Sequence, residues 1–147
     1  MNNSDANQAE QLRENAVMQS VILPNELRIG NIIKTPRGIK AINEIGCKET
    51  NDNEFDYYIR AKYLHEGYFL SSCEPLKITE EWFFKLGFFK YNNAYVLEKP
   101  TENIMNFKFS IWNDFTYNSS EFPIELKYVH QLQNLYFALT QRELTVA

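Results

Sequence analysis

Histidine, cysteine and glycine are scarce in this chain of 147 residues, which has two, two and five of them. Each shortage removes a class of chemistry. Nucleophilic catalysis needs a Ser, Cys or Thr beside a positioned base. The bases on offer are His65 and His130, and no G-x-S-x-G elbow is present. Cys73 with either histidine could be drawn as a Cys–His pair. The plain reading, a buried thiol and a partly exposed imidazole, is preferred because no family signature surrounds them. A structural zinc needs about four N/S ligands, usually in close pairs. Cys47, His65, Cys73 and His130 would be the whole set, with no C-x-x-C or H-x-x-x-H among them. The glycines, at 30, 38, 46, 67 and 87, lie too far apart for a dinucleotide fingerprint or a P-loop. The expectation is a protein without metal or cofactor and without an enzyme active site.

Positive charge is also short. Fifteen Lys and Arg face nineteen Asp and Glu, for a net −4, and the basic residues are scattered singly. Binding to nucleic acid draws on phosphate neutralisation, so direct nucleic-acid binding is disfavoured. A basic face assembled by folding, around Arg28, Lys34, Arg37 and Lys40, would be needed to restore it. No apolar run approaches the roughly 20 residues of a membrane span. Residues 1–20 are polar and lack the apolar stretch of a secretory signal, so a cytoplasmic protein with free thiols is expected.

Aromatic residues, by contrast, make up 15% of the chain, and hydrophobic residues 44%, enough for an aromatic-rich core. Residues 1–24 read as a separate appendage, weakly helical or flexible, ended by Pro24. Residues 25–147 read as a single domain. Leu27, Ile29, Ile32 and Ile33 suggest a strand with a turn or bulge at Gly30. Pro36-Arg37-Gly38 is a turn, and Ile39 to Ile45 returns. Residues 46–54 are polar and acidic and read as a loop. Phe55 to Leu64 and Tyr68 to Cys73 read as two more strands.

Thr79, Glu80 and Glu81 then start a helix that Gly87 stops, with Trp82, Phe83 and Leu86 as its apolar stripe. Phe88 to Tyr91 and Ala94 to Leu97 flank Asn92-Asn93 as a hairpin. Between Ile104 and Trp112, Met105, Phe107, Phe109 and Ile111 alternate with polar residues, predicting one dry face. Leu126 to Leu139 is a helix whose stripe is Leu126, Val129, Leu132, Leu135, Tyr136 and Leu139, with Gln131, Gln133 and Asn134 opposite. Runs of strands with few helices predict an α+β fold: antiparallel sheets with hairpins, a short central helix and a C-terminal packing helix.

Two groups of residues are candidates for binding. Glu49, Asp52, Glu54 and Asp56 are the densest acidic group. They lack the glycine turn and terminal glutamate of a calcium loop. They read as a solvated loop or, more sharply, as an acidic contact surface for a basic partner. Tyr57, Tyr58, Trp112, Phe115 and Tyr117 could stack bases, but no Lys or Arg is interleaved, and sheet or core packing is preferred.

Three segments carry a resemblance: Glu26-Leu27-Arg28-Ile29-Gly30-Asn31; Ile78-Thr79-Glu80-Glu81-Trp82 running into Lys85-Leu86-Gly87-Phe88; and Lys127 through Thr140. Together they resemble a family of small uncharacterised proteins of phages and prophages in Bacteroidetes-type bacteria. The likeness spans about residues 26 to 144, and the last segment is the most specific. The family pattern has Gly at position 141, where this chain has Gln141. No catalytic residues come with the resemblance. It implies a phage accessory role inside the bacterial host, exercised by binding a host protein. An inhibitor of a nucleic-acid-processing defence effector, in the manner of anti-CRISPR proteins, is the leading version. A nucleic-acid-associated domain in phage gene control or replication, or a virion assembly component, is the alternative.

Overall fold

A computed structural model describes residues 22–51, 54–61, 67–99, 107–118 and 122–147. The fold is α+β with antiparallel sheet predominating. The described residues form two compact units. The first takes residues up to Ile29 and Ile33–Pro75; the second takes Gly30–Ile32 and Leu76–Ala147. The expected appendage, residues 1–24, lies outside the described residues except for its last three.

The first unit is built on one sheet of four strands in the order β1-β2-β3-β4: β1 Ile32–Thr35, β2 Gly38–Glu49, β3 Phe55–Ala61 and β4 Gly67–Phe69. Leu27 to Ile29 are not a strand, contrary to the sequence expectation. Pro24, with its φ preset for a turn, starts a 3-10 turn at Pro24–Glu26, and the chain turns again at Ile29-Gly30, where Gly30 takes φ +94°. The Pro36-Arg37 turn joins β1 to β2 as expected. The Thr35 hydroxyl closes it, donating to the Gly38 carbonyl at 2.8 Å and accepting the Arg37 N–H at 3.3 Å.

The loop expected at 46–54 is shorter than its polarity suggested. Gly46 to Glu49 continue β2 and pair with Tyr58 to Phe55. The fourth strand also ends early. Only Gly67–Phe69 pair with β3, and Leu70–Ser72 form a 3-10 turn that delivers Leu70 and Cys73 to the core. Ile22, Leu27, Ile33, Ile42, Ile59 and Tyr68 complete that core.

The second unit is closed by two helices, α1 Glu80–Lys85 and α2 Val129–Thr140. Thr79 occupies the N-cap of α1 through its backbone alone, its carbonyl accepting the Phe83 N–H at 3.3 Å. Gly87, at φ +89°, stops the helix as its position predicted. The sheet beside it is β5 Phe89–Tyr91, β6 Ala94–Lys99 and β7 Phe107–Trp112, in that order. Phe109 and Ile111 are buried and Lys108 and Ser110 exposed, which is the predicted alternation; Met105 lies outside the described residues. A small hairpin follows, β8 Thr116–Asn118 and β9 Pro123–Glu125. The core is aromatic: Phe83 stacks on Tyr95 at 4.2 Å and meets Phe88 edge-on at 5.2 Å, while Phe109 meets Tyr136 edge-on at 5.4 Å.

Helix α2 departs from expectation three times, and one departure is Leu139, which the sequence pattern puts in the apolar stripe but which is exposed. The helix begins at Val129, not Leu126, because the Leu126 N–H is given to Phe115 O and Tyr128 bridges to Lys77. Gln131 caps the start, its Oε1 accepting the Lys127 and Tyr128 N–H groups at 2.8 and 3.1 Å. Gln133, placed on the polar face by sequence, is fully buried at 0% exposure. Its amide is satisfied by backbone from two other segments: Nε2 donates to Gly30 O at 3.1 Å and to Leu144 O at 2.9 Å, and Oε1 accepts the Ile32 N–H at 2.8 Å. Asn31 donates to Asn134 beside it at 2.9 Å. A buried amide with its groups paired avoids the desolvation cost that burial otherwise carries.

The three segments of the sequence resemblance meet here. Gly30-Asn31 is clasped by Gln133 and Asn134, and Ile78 donates its N–H to Lys127 O at 2.9 Å. Gln141 takes the left-handed conformation, φ +57°, that a glycine would adopt without strain, and donates its N–H to Phe137 O at 2.7 Å.

Among the described residues no helix is long and apolar enough to cross a membrane.

Candidate functional site

Strand lengths create a two-stranded arm in the first unit. β4 reaches β3 only at Tyr58, Ile59 and Arg60. β1 has four residues and meets β2 through a tight turn at its Gly38 end. Beyond these, among the described residues, Cys47–Glu49 pair only with Phe55–Tyr57. The arm closes at Thr50, whose N–H and hydroxyl both donate to Glu54 O, at 2.8 and 3.0 Å.

Alternation sorts the arm's side chains. Glu49 stands opposite Phe55 and Cys47 opposite Tyr57, on the face that continues into Ile45 and Ile59. Lys48 stands opposite Asp56 on the other face. The predicted acidic group is therefore divided. Glu49 borders an aromatic pair, Asp56 faces a lysine across the strands, and Glu54 sits at the turn; all three are exposed, and Asp52 lies outside the described residues. What the sequence reading did not single out is Phe55. It is 61% exposed, and Tyr57 beside it 42%. Large rings left in water on a structured element are what marks a binding surface, whereas scattered exposed apolar residues mark nothing. These rings border a cavity of about 390 Å³ that also touches Ile22, Leu23, Leu70 and Cys73.

The other candidates fall in different places. Cys73 belongs to the first unit's core, and burial pushes its thiol above the usual value, partly opposed by a hydrogen bond involving Ser72. That shift is opposite to the one that makes a reactive thiolate. Cys47 is exposed. His130 is buried in the second unit, stacked on Tyr128 at 5.7 Å, and His65 lies outside the described residues. Among the described residues, no three His, Cys, Asp or Glu converge as a metal would need. Of the expected basic face, Lys34 is ion-paired with Glu74 at 2.8 Å.

The five aromatic candidates also separate. Phe115 and Tyr117 pack into the second core, at 5.5 Å from Phe83 and Phe109 respectively. Trp112 is half-exposed, and Tyr57 is on the arm. Tyr58 lies over Gly46, where an added Cβ would strike its ring; its hydroxyl donates to Glu44 at 3.3 Å, and Arg60 sits over the ring at 5.6 Å. Compared with protein-family models, with curated proteins and with solved structures, the chain matches none.

Proposed function

We propose that this is a non-enzymatic binding protein that works through protein–protein contact, with the arm of the first unit as its contact surface. The observation that carries the reading is the pair Phe55 and Tyr57, exposed on a two-stranded arm. Interfaces concentrate their energy in a few aromatic anchors surrounded by a polar rim. Glu49, opposite Phe55, and Glu54 at the turn supply acid beside the rings, while Asp56 faces Lys48 on the other side, and the net charge of −4 favours a basic partner. Nucleic-acid enzymes present such basic channels. The sequence resemblance to phage accessory proteins points the same way, towards a host defence effector.

The test is to mix the purified protein with a panel of nucleic-acid-processing defence enzymes. One of them co-elutes and loses activity, and the double variant Phe55→Ser, Tyr57→Ser, still folded, no longer binds it. If no effector co-elutes at micromolar concentration, the inhibitor reading falls.

A second reading has its own observation. Lys48, Tyr58, Arg60 and Phe69 line a hollow of about 350 Å³, putting two cations beside two rings. That arrangement favours single-stranded nucleic acid. A salt titration decides, since loss of affinity with salt is required.

A further inference from the structure

The turn end of the second unit's sheet holds a different kind of site. The β5–β6 turn, Asn92-Asn93, and the turn after β7 are tied together, with the Asn113 N–H donating to Asn93 O at 3.0 Å. Phe115 takes a left-handed φ of +63°, and its N–H closes the turn on Trp112 O at 2.8 Å. Its ring is held in the core against Phe83 and Tyr95. With Phe115 pinned inward, Asn113 and Asp114 are left exposed on a fixed loop.

Around this loop is a hollow of about 550 Å³ lined by Asn93, Trp112, Asn113, Asp114, Thr116 and Asn118, with Pro123 at its edge. The hollow is open, so it would hold a ligand on a surface platform and not enclose it. Trp112 is 47% exposed, makes no ring contact with any described residue, and has no described acceptor for its indole N–H. The side-chain amides of Asn93, Asn113 and Asn118 make no hydrogen bond among the described residues. Asp114 spends one oxygen, Oδ1, on the Thr116 hydroxyl at 2.6 Å and on the Thr116 N–H at 3.1 Å. Its other oxygen has no described donor. The Thr116 hydroxyl holds the carboxyl below the usual range, so it is an acceptor at neutral pH.

The lining selects by chemistry. No described Lys or Arg contributes to it, so a phosphate or sulfate would meet Asp114 without a described counter-charge. An apolar ligand would strip water from three amides and return no hydrogen bond. A cation would find one described carboxylate, Asp114. A neutral polyhydroxylated ligand satisfies the whole set: its C–H face lies on the indole, and its hydroxyls pair with amides that both donate and accept. The sheet adds a second ring. Tyr91, Ala94 and Trp112 are register partners in one row across β5, β6 and β7, which sets two aromatic residues about 10 Å apart with an alanine between them. The Lys108 ammonium lies over the Tyr91 ring at 5.4 Å, so Tyr91 forms the outer edge of the platform, outside the lining of the hollow, which has no described cation. We propose that this end of the second unit is a carbohydrate-binding site for a neutral oligosaccharide, with Trp112 as its stacking platform and Asp114 with Asn93 and Asn113 as its hydroxyl partners.

The experiment is an NMR titration of the full chain with a panel of neutral oligosaccharides, namely gluco-, manno-, xylo- and N-acetylglucosamine oligomers, each to millimolar concentration. At least one shifts the Trp112 indole N–H and the side-chain amides of Asn93 and Asn113. Trp112→Ala abolishes the shifts, and Asp114→Asn weakens binding about tenfold while the fold is retained. Inorganic phosphate and sulfated oligosaccharides leave these signals in place. The Phe55→Ser, Tyr57→Ser variant binds sugar as the natural chain does, so failure here and failure of the arm reading are separate results. If the whole panel leaves the indole signal unmoved, if Trp112→Ala still binds, or if only anionic sugars bind, the proposal is overturned.

Discussion

The two units differ in the aromatic content of their cores, although the second also leaves Phe84, Phe89, Tyr91, Trp112 and Phe122 exposed. In the second, Phe83, Phe88, Tyr95, Phe109 and Tyr136 are stacked into the core. In the first, the core is chiefly aliphatic, and Phe55, Tyr57 and Phe69 are left substantially in water. The difference comes from what each sheet can cover. Helices α1 and α2 bring Phe83, Leu86, Val129, Leu132 and Tyr136 to the second core. In the first unit β2 and β3 outrun both flanking strands, so the rings at their far end have no third strand beside them among the described residues. A ring on a helix-backed sheet contributes to stability. A ring on an unsupported arm contributes little to it and is available for contact.

Substitutions can break or sharpen that contrast. The largest effect is expected for Phe83→Ala, which empties the centre of the second core and costs about 3–5 kcal/mol by chemical denaturation. A loss under about 1 kcal/mol would mean that the aromatic stack is not what holds this unit. Next is Gln133→Leu. It leaves Gly30 O, Leu144 O and the Ile32 N–H buried without their partner, and a loss of about 2–4 kcal/mol follows. Should the leucine variant be as stable as the natural chain, the clasp is incidental.

A smaller effect separates the units by pH. Cys73, in the first core, has its thiol raised by burial, so the folded state prefers the neutral form. Its contribution to stability is full below the ordinary thiol pKa and is lost as pH rises through the raised folded value. The first unit should therefore unfold at lower temperature from about pH 9 upward, and Cys73→Ala should remove that dependence. In the native protein Cys47 should react with a thiol reagent at once and Cys73 only on opening; equal rates would contradict the burial. The smallest effect is a gain. Gln141→Gly relieves a left-handed residue at the end of α2 and should stabilise the second unit by about 1 kcal/mol.

What the sequence disclosed follows from the same contrast. Helix α1 and the inward face of β7 were legible because each has one dry side, and dryness writes a period into the chain. The β5–β6 hairpin was legible instead from its Asn92-Asn93 turn, since all of β5 is exposed and Tyr95, Val96 and Leu97 of β6 are all buried. The arm was not legible. Cys47, Lys48 and Glu49 are exposed and polar on both faces, so nothing alternates, and only their pairing with Phe55 to Tyr57 makes them strand. Gln133 was misplaced because a polar residue is assigned outward by default, and its three backbone partners come from segments distant in sequence. The acidic candidates were close in sequence but are divided by strand alternation, which a loop reading cannot foresee. The hollow at Trp112 left one trace, asparagines at two turns, which on their own signal only turn geometry.

The most direct measurement is inhibition of a defence effector by three versions of the chain: natural, Phe55→Ser with Tyr57→Ser, and Trp112→Ala. The arm variant should keep the natural chain's melting temperature to within about half a kcal/mol of stability and lose inhibition, while Trp112→Ala inhibits fully. If the arm variant inhibits as well as the natural chain, contact is not made through Phe55 and Tyr57, and the account is wrong.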